Sequence, residues 1–458
     1  MDGRFGEPEL CPLGATCRDG ACRALDDRAR SQLKSLETIR ATWENRAGWP
    51  SFIDADAVAD SLLAGDGTDQ AFFQAARDLA LATRQGHQVI VLVDHDACAP
   101  PHMPRQGWSR FAVCGRPLGD DVVVTYARAG NVLGLVAGDR IVGLDALRGP
   151  ALLEAAARRP VCGGGAVSEA YRRETAAASF FGTLPPSSQL DVVSAQGASR
   201  SVVVPAEAQP MGSLLDCRDP FGRAGEADIA SWIREDGVGV IRIASFAPGA
   251  PREWSDTEEY EAYLAEVTAE IAEAFDQVKD RPALIWDVRG NGGGYSSIAL
   301  QIVAGMAGVT ATSLFTCAYR HPDSWPPAYS SALSESFAIT PGGPFVYGGN
   351  AAVLIDGLAY SATDHFAFAV ARATTVPLVG SPTAGAFGRS GLIYEVVGPP
   401  AMQFTVDPRY CTDATTGEPL EGRSVNPTVV VEYDPKDLAA GIDTVLERAV
   451  ALLLGSGG

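Results

Sequence analysis

The chain has 458 residues, of which 46% are hydrophobic, and its formal net charge is −20 at pH 7. This length exceeds one ordinary hydrophobic core, so we expect two or three domains. The acidic balance argues against nucleic acid as a partner. The sequence contains no run of about 18 apolar residues, so no membrane span is expected.

Residues 1–26 are predicted to form a Cys-rich N-terminal tail. Cys11, Cys17 and Cys22 crowd a Gly-rich run without a strand pattern, which resembles a small disulfide knot more than a zinc site, because no fourth ligand is near. The chain has nine cysteines, so at least one thiol is free or pairs between chains. The first residues lack the apolar core of a signal peptide. We expect a secreted or periplasmic protein whose export signal is absent from this sequence.

Residues 27–100 are predicted to form a helical domain. Apolar residues recur at three- and four-residue steps in two stretches, Leu33–Trp43 and Phe72–Ala82. His87 follows the second helix and leads an apolar strand, Val89–Val93.

Residues 101–210 are predicted to form a β-rich domain. Strands are expected at Val122–Tyr126, Arg140–Leu144 and Ser201–Val204. The run Gly134–Asp145, GLVAGDRIVGLD, resembles the GLxxGDxIxxxxG signature of PDZ domains, which bind a peptide C-terminus by strand addition. The alternative is an unrelated β-hairpin with a Gly-Asp turn. The later insert, Cys162–Pro186, is unusually long for a PDZ domain.

Residues 211–458 are predicted to form a layered α/β core, because strands alternate with helices. The pattern predicts strands at Val238–Ile243 and Thr375–Val379, a long helix at Glu258–Val278 and a closing helix at Asp437–Leu454. A buried strand beginning at Leu284 leads into the turn RGNGGG, Arg289–Gly294. Three consecutive glycines leave backbone N–H donors free at a helix start, which suits an anion or a developing oxyanion.

A second strand–turn–helix unit carries Ser361. The short strand Val353–Ile355 is followed by the turn signal Asp356-Gly357, and Ser361 then opens a helix with apolar spacing. One interpretation is a helix N-cap, where serine is common. The other is a nucleophile assisted by the helix N-terminus and nearby amides. Asp364, at the N3 position of a capping box, is given a structural role.

These segments together resemble the C-terminal processing and tricorn-type serine peptidases. The segments occur in the family's order: the His-bearing segment after the helices, the PDZ-like turn, GVGVIRIASF, DVRGNGGG, AYSATDHFA, VGSPTAGA and EPLEGRSVNPTVVV. The resemblance runs from about Leu33 to the C-terminus. It implies an α/β fold with a ClpP/crotonase-type catalytic core, a PDZ-like β-rich domain and an N-terminal helical domain.

The family has two catalytic designs, and this chain favours the Ser-His-Glu triad. The Ser-Lys design places a lysine just after a Thr-x-Gly turn, where this chain has Ala386, and the only lysine downstream of the serine is Lys436. The resemblance therefore implies Ser361 as nucleophile and His87 as general base. The segment that contains His87 departs from the family pattern, because Gln85 occupies the position where aspartate is usual.

The same resemblance implies the remaining site residues. Glu421 matches the orienting carboxylate, with Glu418 as its near rival. The oxyanion hole would use the backbone amides of Gly293, Gly294 and Ala362.

Four other histidines compete with His87 for the role of base. His365 lies one helical turn beyond Ser361, where an ordinary surface or partly buried helix residue is the favoured interpretation. His321 lies in a polar segment. A zinc site at His95, Cys98 and His102 is disfavoured because no fourth ligand is apparent.

The sequence thus predicts a serine endopeptidase that cleaves polypeptides through an acyl-enzyme, without a metal or organic cofactor. The substrate would be engaged by its C-terminus through the PDZ-like domain. Activity is expected to rise with pH through the histidine range. The alternative is a catalytically inactive protein that binds a peptide or an apolar ligand on the same fold.

Overall fold

The structure is a computed structural model that describes residues 15–18, 21–24, 27–47, 69–83, 85–88, 90–92, 108–158, 167–206, 215–219, 221, 227–250, 256–321, 324, 327–389, 392–396 and 402–455. The zinc alternative at His95, Cys98 and His102 lies outside the described residues, and so do Cys11 and Cys162.

The described helices are α1 Asp27–Arg46, α2 Asp69–Ala82, α3 Pro150–Ala157, α4 Glu169–Ser179, α5 Thr257–Asp276, α6 Ser296–Ala304, α7 Ala362–Ala373, α8 Pro435–Ala439 and α9 Thr444–Leu453, with a 3₁₀ turn at Phe180–Gly182. The described strands are β1 Ala15–Arg18, β2 Ala21–Ala24, β3 Ile90–Leu92, β4 Trp108–Ser109, β5 Val113–Leu118, β6 Asp121–Ala127, β7 Arg140–Leu144, β8 Leu147–Arg148, β9 Gln189–Val193, β10 Ser199–Val203, β11 Leu215–Asp216, β12 Ile229–Ile233, β13 Gly239–Ile243, β14 Ala283–Asp287, β15 Thr312–Arg320, β16 Tyr329–Ile339, β17 Asn350–Ile355, β18 Leu378–Gly380, β19 Leu392–Val396, β20 Met402–Val406, β21 Arg409–Asp413 and β22 Val429–Val430.

A mixed sheet with the order β12-β13-β14-β17-β18-β22 forms the centre of the C-terminal half. All its strands run parallel except β12. Trp286 and Val353 pack on one face against α5, α6 and α7, while Ile285 and Leu354 pack on the other face near α9. Because parallel strands end at the same edge, the turns after β14 and β17 lie side by side.

A β-rich module, residues 108–206, packs against this core. Its strands follow the order β10-β9-β7-β6-β5, with β8 beside β7, and α3 and α4 close its apolar core. A disulfide joins Cys114 to Cys217. Gly138 has a positive φ of 87°, and a Cβ there would lie 2.2 Å from the carbonyl oxygen of Pro435. The predicted Gly-Asp turn therefore needs its glycine to approach the start of α8.

The N-terminal helices share a hydrophobic core with a second sheet of order β19-β20-β3. Trp43 donates its indole N–H to the Thr405 carbonyl over 2.8 Å, and its ring contacts Phe404 edge-on. Strand β3 pairs with β20, which fixes the chain immediately after His87. A third sheet, β16-β15-β21, carries the disulfide between Cys317 and Cys411.

Several expectations about local structure are wrong. The closing helix is divided into α8 and α9, with Gly441 at a positive φ of 75° between them. No structure was predicted for the insert Cys162–Pro186, which contains α4; the Ser168 side chain caps this helix by accepting the Tyr171 N–H. The N-terminal tail, expected without strands, contains the hairpin β1–β2. Within the described part of the chain, every helix is too short or too polar to cross a lipid bilayer.

Candidate active site

Ser361 stands at the start of α7, in the turn after β17. Its backbone is at φ 61° and ψ −118°, a conformation that a residue with a side chain rarely adopts and that often marks a functional site. The Asp364 carboxylate accepts the backbone N–H of Ser361 over 3.0 Å, as a capping box requires. The turn therefore presents the Ser361 side chain in a fixed direction.

His87 lies beside this serine although 274 residues separate them in sequence. Its Nε2 is 3.1 Å from Ser361 Oγ, within hydrogen-bond range. The Thr405 hydroxyl of β20 donates to the His87 carbonyl, and the Tyr360 ring lies 5.2 Å from the imidazole. The fold thus brings together the two residues that the sequence predicts as base and nucleophile.

The imidazole of His87 is deeply buried, with only 7% of the residue exposed. Burial lowers the pKa of His87 to about 3, and the nearby Arg409 guanidinium acts in the same direction. The ring is therefore neutral at ordinary pH and can accept a proton. Its other nitrogen, Nδ1, has no hydrogen-bond partner among the described residues.

Nδ1 borders a small cavity that has room for about one water molecule. The cavity is lined by His87 together with Gln85, Gly388, Asp407, Arg409, Tyr410, Cys411 and Glu421. Two of these side chains, Asp407 and Glu421, are carboxylates. The cavity is therefore the place where charge on the imidazolium form can be stabilised.

Glu421 is held by three backbone amides and makes no direct hydrogen bond to His87. Its Oε1 accepts the Gly86 N–H over 2.8 Å, and its Oε2 accepts the N–H groups of Phe387 and Gly388 over 2.8 and 2.9 Å. Burial raises the pKa of Glu421 to about 8, while the amides of Gly86 and Gly388 act in the opposite direction. Its rival Glu418 is exposed and pairs with Arg423.

Asp407 is a second acid at the cavity, and the sequence analysis missed it. An ideal Cβ on Gly388 would lie 2.2 Å from Asp407 Oδ2 and 3.1 Å from His87 Nδ1, so both atoms face the space that this glycine leaves open. Asp407 also pairs with Arg409 over 3.2 Å and accepts the Arg389 N–H. Its sequence context, VDPR, resembles an ordinary turn after a strand and gave no signal.

The three predicted oxyanion donors differ in their surroundings. The Gly293 N–H donates to Asn291 Oδ1 over 2.8 Å, so this amide is already engaged. A Cβ on Gly293 would lie 2.7 Å from the Ser361 Cβ, which shows how closely the glycine turn packs on the serine. The N–H groups of Gly294 and Ala362 have no hydrogen-bond acceptor among the described residues.

The other candidate bases are placed elsewhere. His365, expected to be on the surface or partly buried, is buried, with only 3% of the residue exposed. Its Nδ1 lies 2.7 Å from Ser296 Oγ and its Nε2 3.2 Å from the Phe387 carbonyl oxygen. His321 is exposed at the end of β15. Ala386 is fully buried. Lys436 lies in α8, whose Leu438 packs on the sheet face of Ile285 and Leu354, opposite the face that α7 covers.

Comparison with known proteins identifies the enzyme class of the C-terminal half. Residues 237–431 match the family model of peptidase family S41. This range includes Ser361 and Glu421, whereas His87 precedes it. No curated protein sequence matches the chain.

The fold as a whole is similar to solved structures. The structure of mature CPAF complexed with lactacystin is 14% identical, covers 93% of this chain and 98% of that chain, and has a TM-score of 0.64. The crystal structure of mature CPAF is 14% identical, covers 94% and 99%, and has a TM-score of 0.63. At this identity the similarity shows a shared fold. The family match shows that residues 237–431 form a peptidase family S41 domain, and the chain is a serine-type peptidase.

Proposed function

We propose that this chain is an exported serine endopeptidase that uses Ser361, His87 and Glu421 as a catalytic triad. The observation that carries the proposal is the 3.1 Å approach of His87 Nε2 to Ser361 Oγ. A serine hydroxyl is a poor nucleophile unless a base removes its proton, and a neutral imidazole at this distance is such a base.

The reaction begins when Ser361 Oγ attacks the scissile carbonyl and His87 Nε2 takes the hydroxyl proton. His87 then gives this proton to the leaving amine, which leaves an acyl-enzyme on Ser361. A water molecule, deprotonated by the same nitrogen, then attacks the acyl group, and His87 returns the proton to Ser361 Oγ as the acid product leaves. No step requires a metal or an organic cofactor.

The amides of Gly294 and Ala362 are proposed to stabilise the tetrahedral oxyanion. Ala362 follows Ser361 in the chain, and Gly294 follows Gly293, which packs on the serine. Neither N–H has an acceptor within the described residues. Gly293, whose N–H is bound by Asn291, contributes by allowing the turn to approach the serine. Removing one donor of this kind typically lowers kcat by about 10²–10³-fold.

Glu421 is proposed to stabilise the His87 imidazolium from the cavity side. It lines the cavity that His87 Nδ1 borders, and three amides fix its position. Ionised Glu421 would raise the basicity of the buried imidazole, which burial otherwise lowers. Support for Glu421 over Glu418 comes from burial, because Glu418 is exposed.

The substrate is proposed to be a polypeptide whose free C-terminus binds the β-rich module as it would a PDZ domain. Support comes from the GLVAGD run and from a module built of antiparallel strands with two helices. Two disulfides between described cysteines, Cys114–Cys217 and Cys317–Cys411, support export to an oxidising compartment.

Hydrolysis of an internally quenched, unstructured peptide tests both parts of the proposal. The wild type should cleave it, and Ser361→Ala and His87→Ala should each lose nearly all activity while remaining folded. Amidating the peptide's C-terminus should raise KM and leave kcat nearly unchanged. Undiminished cleavage by Ser361→Ala would refute the nucleophile, and an unchanged KM would refute recognition of the C-terminus.

A further inference from the structure

A second serine–histidine pair lies outside the proposed triad. Ser296 is the first residue of α6, directly after the glycine turn, and His365 lies in α7, one turn beyond the nucleophile. The two side chains meet at 2.7 Å between Ser296 Oγ and His365 Nδ1, although 69 residues separate them. From the sequence alone, His365 is expected to be an ordinary helix residue.

The hydrogen-bond partners of His365 determine its tautomer. Nε2 faces the Phe387 carbonyl at 3.2 Å, and a carbonyl can only accept, so Nε2 carries the proton. Nδ1 therefore accepts, and the Ser296 hydroxyl donates to it. Aromatic rings of Phe315, Phe337 and Phe387 surround the imidazole, which is 3% exposed. Burial lowers the pKa of His365 to about 3, so the ring stays neutral.

The Phe387 peptide connects this pair to the proposed acid. His365 binds the carbonyl of Phe387, and the N–H groups of Phe387 and Gly388 both donate to Glu421 Oε2. The adjoining part of the same turn is held by Asp364, which accepts the N–H groups of Gly385 and Ala386 over 2.7 and 2.9 Å. Asp364 and His365, which are neighbours in α7, thus both bind the turn at residues 385–388, and amides of this turn bind Glu421.

We propose that His365, oriented by Ser296, is a positioning residue that aims the Phe387–Gly388 amides at Glu421 and so keeps the acid beside His87. This inference rests on the proposed triad. His365 does not transfer a proton: it contributes a fixed Nε2–H donor to the turn. A side chain of similar volume without that donor should leave the fold intact and misplace the carboxylate.

Three variants separate positioning from packing. His365→Phe keeps an aromatic ring and removes the donor, His365→Gln restores a donor near the Nε2 position, and Ser296→Ala removes only the group that orients the ring. His321→Phe is the control, since it makes the same substitution at an exposed histidine. Circular dichroism and melting temperature verify that each variant is folded.

The readout is the second-order rate of fluorophosphonate labelling at Ser361, measured against pH. We expect about a tenfold loss in His365→Phe, partial recovery in His365→Gln, about a threefold loss in Ser296→Ala and none in His321→Phe. The pH at which labelling rises should also move in His365→Phe. Wild-type labelling with an unchanged rate and pH profile in His365→Phe would overturn this inference alone. Absence of labelling in the folded wild type would overturn the proposed function and this inference with it.

The tautomer provides a measurement that remains decisive even if His365→Phe does not fold. In ¹⁵N-histidine NMR spectra of the wild type and of Ser361→Ala, His365 should appear as the neutral Nε2–H form from pH 5 to about 8. An Nδ1–H form, or a charged ring in that range, would overturn the inference.

Discussion

Gly86 donates its backbone N–H to Glu421 Oε1 across 2.8 Å, so the proposed acid binds the residue that precedes the proposed base. The two are 335 positions apart in sequence. A carboxylate that receives amide donors on both oxygens is fixed in position. Glu421 thereby couples the placement of His87 to the turn that follows β18, even though no direct hydrogen bond joins its side chain to the imidazole.

The two acids at the cavity can be ranked by removing one charge at a time. Glu421→Gln should lower kcat/KM by at least about a hundredfold, because an uncharged partner cannot stabilise the imidazolium. Asp407→Asn should cost about tenfold, because the charge of Asp407 is already shared with Arg409. Steady-state kinetics decide the order, with Glu418→Gln as the exposed control. A larger loss in Asp407→Asn would assign the orienting role to Asp407.

The pH dependence of kcat/KM should follow Glu421 rather than His87. His87, whose pKa burial lowers to about 3, is already neutral across the usual range, so a rise through the ordinary histidine range is no longer expected. Burial raises the pKa of Glu421 to about 8, and only its ionised form stabilises the imidazolium, so activity should rise as pH passes about 8. Glu421→Gln should abolish this rise. A rise centred near pH 6.5 that persists in Glu421→Gln would contradict the assignment.

Stability should change with pH in the opposite direction. Folded Glu421 has its pKa raised to about 8 from 4.5, so between these values the folded state binds more protons than the unfolded state. The free energy of unfolding should therefore fall as pH rises from about 5 to 8. Chemical denaturation at several pH values measures this slope, and Glu421→Gln should flatten it. An equal slope in both proteins would place the titrating group elsewhere.

The glycine turn offers a matched pair of substitutions. Gly294 has a φ of 132°, and a Cβ there would lie 2.4 Å from the Phe246 backbone, so Gly294→Ala must displace the proposed oxyanion donor. We expect kcat to fall by about 10²-fold or more. A Cβ on Gly292 would meet nothing within 4 Å, so Gly292→Ala should stay near wild type. Equal activities in the two variants would argue against this turn as the oxyanion site.

The Cys114–Cys217 disulfide closes a separation of 103 residues between the β-rich module and the chain that leads into the core. Replacing both cysteines by alanine should lower the free energy of unfolding by about 2–5 kcal/mol, chiefly through the greater freedom of the unfolded chain. Denaturation with and without reductant measures the effect. The wild type should lose a similar amount on reduction, whereas the double variant should respond less.

The sequence predicted the parts of the site that have a local signal. Ser361 follows a strand and a turn that repeat the pattern before Gly293, and His87 precedes an apolar strand, so both could be named from spacing and family resemblance. Asp407 could not, because its role depends on Gly388 leaving space between two segments. The burial of His365 was missed because its partner Ser296 belongs to another helix.

The oxyanion prediction shows a similar limit. Three glycines in a row predicted free amide donors, and the pattern does not reveal which of them a side chain already uses. Asn291 Oδ1 engages the Gly293 N–H and also accepts the Thr363 hydroxyl, an arrangement fixed by packing between the two turns. Only the assembled fold distinguishes Gly293 from Gly294.

The most direct measurement of the central claim is peptide mapping by mass spectrometry after treatment with a fluorophosphonate. If His87 activates Ser361, one phosphonyl group per chain should be found on Ser361, with no labelling in Ser361→Ala and strongly slowed labelling in His87→Ala. A folded wild type that remains unlabelled, or is labelled equally fast in His87→Ala, would contradict the account.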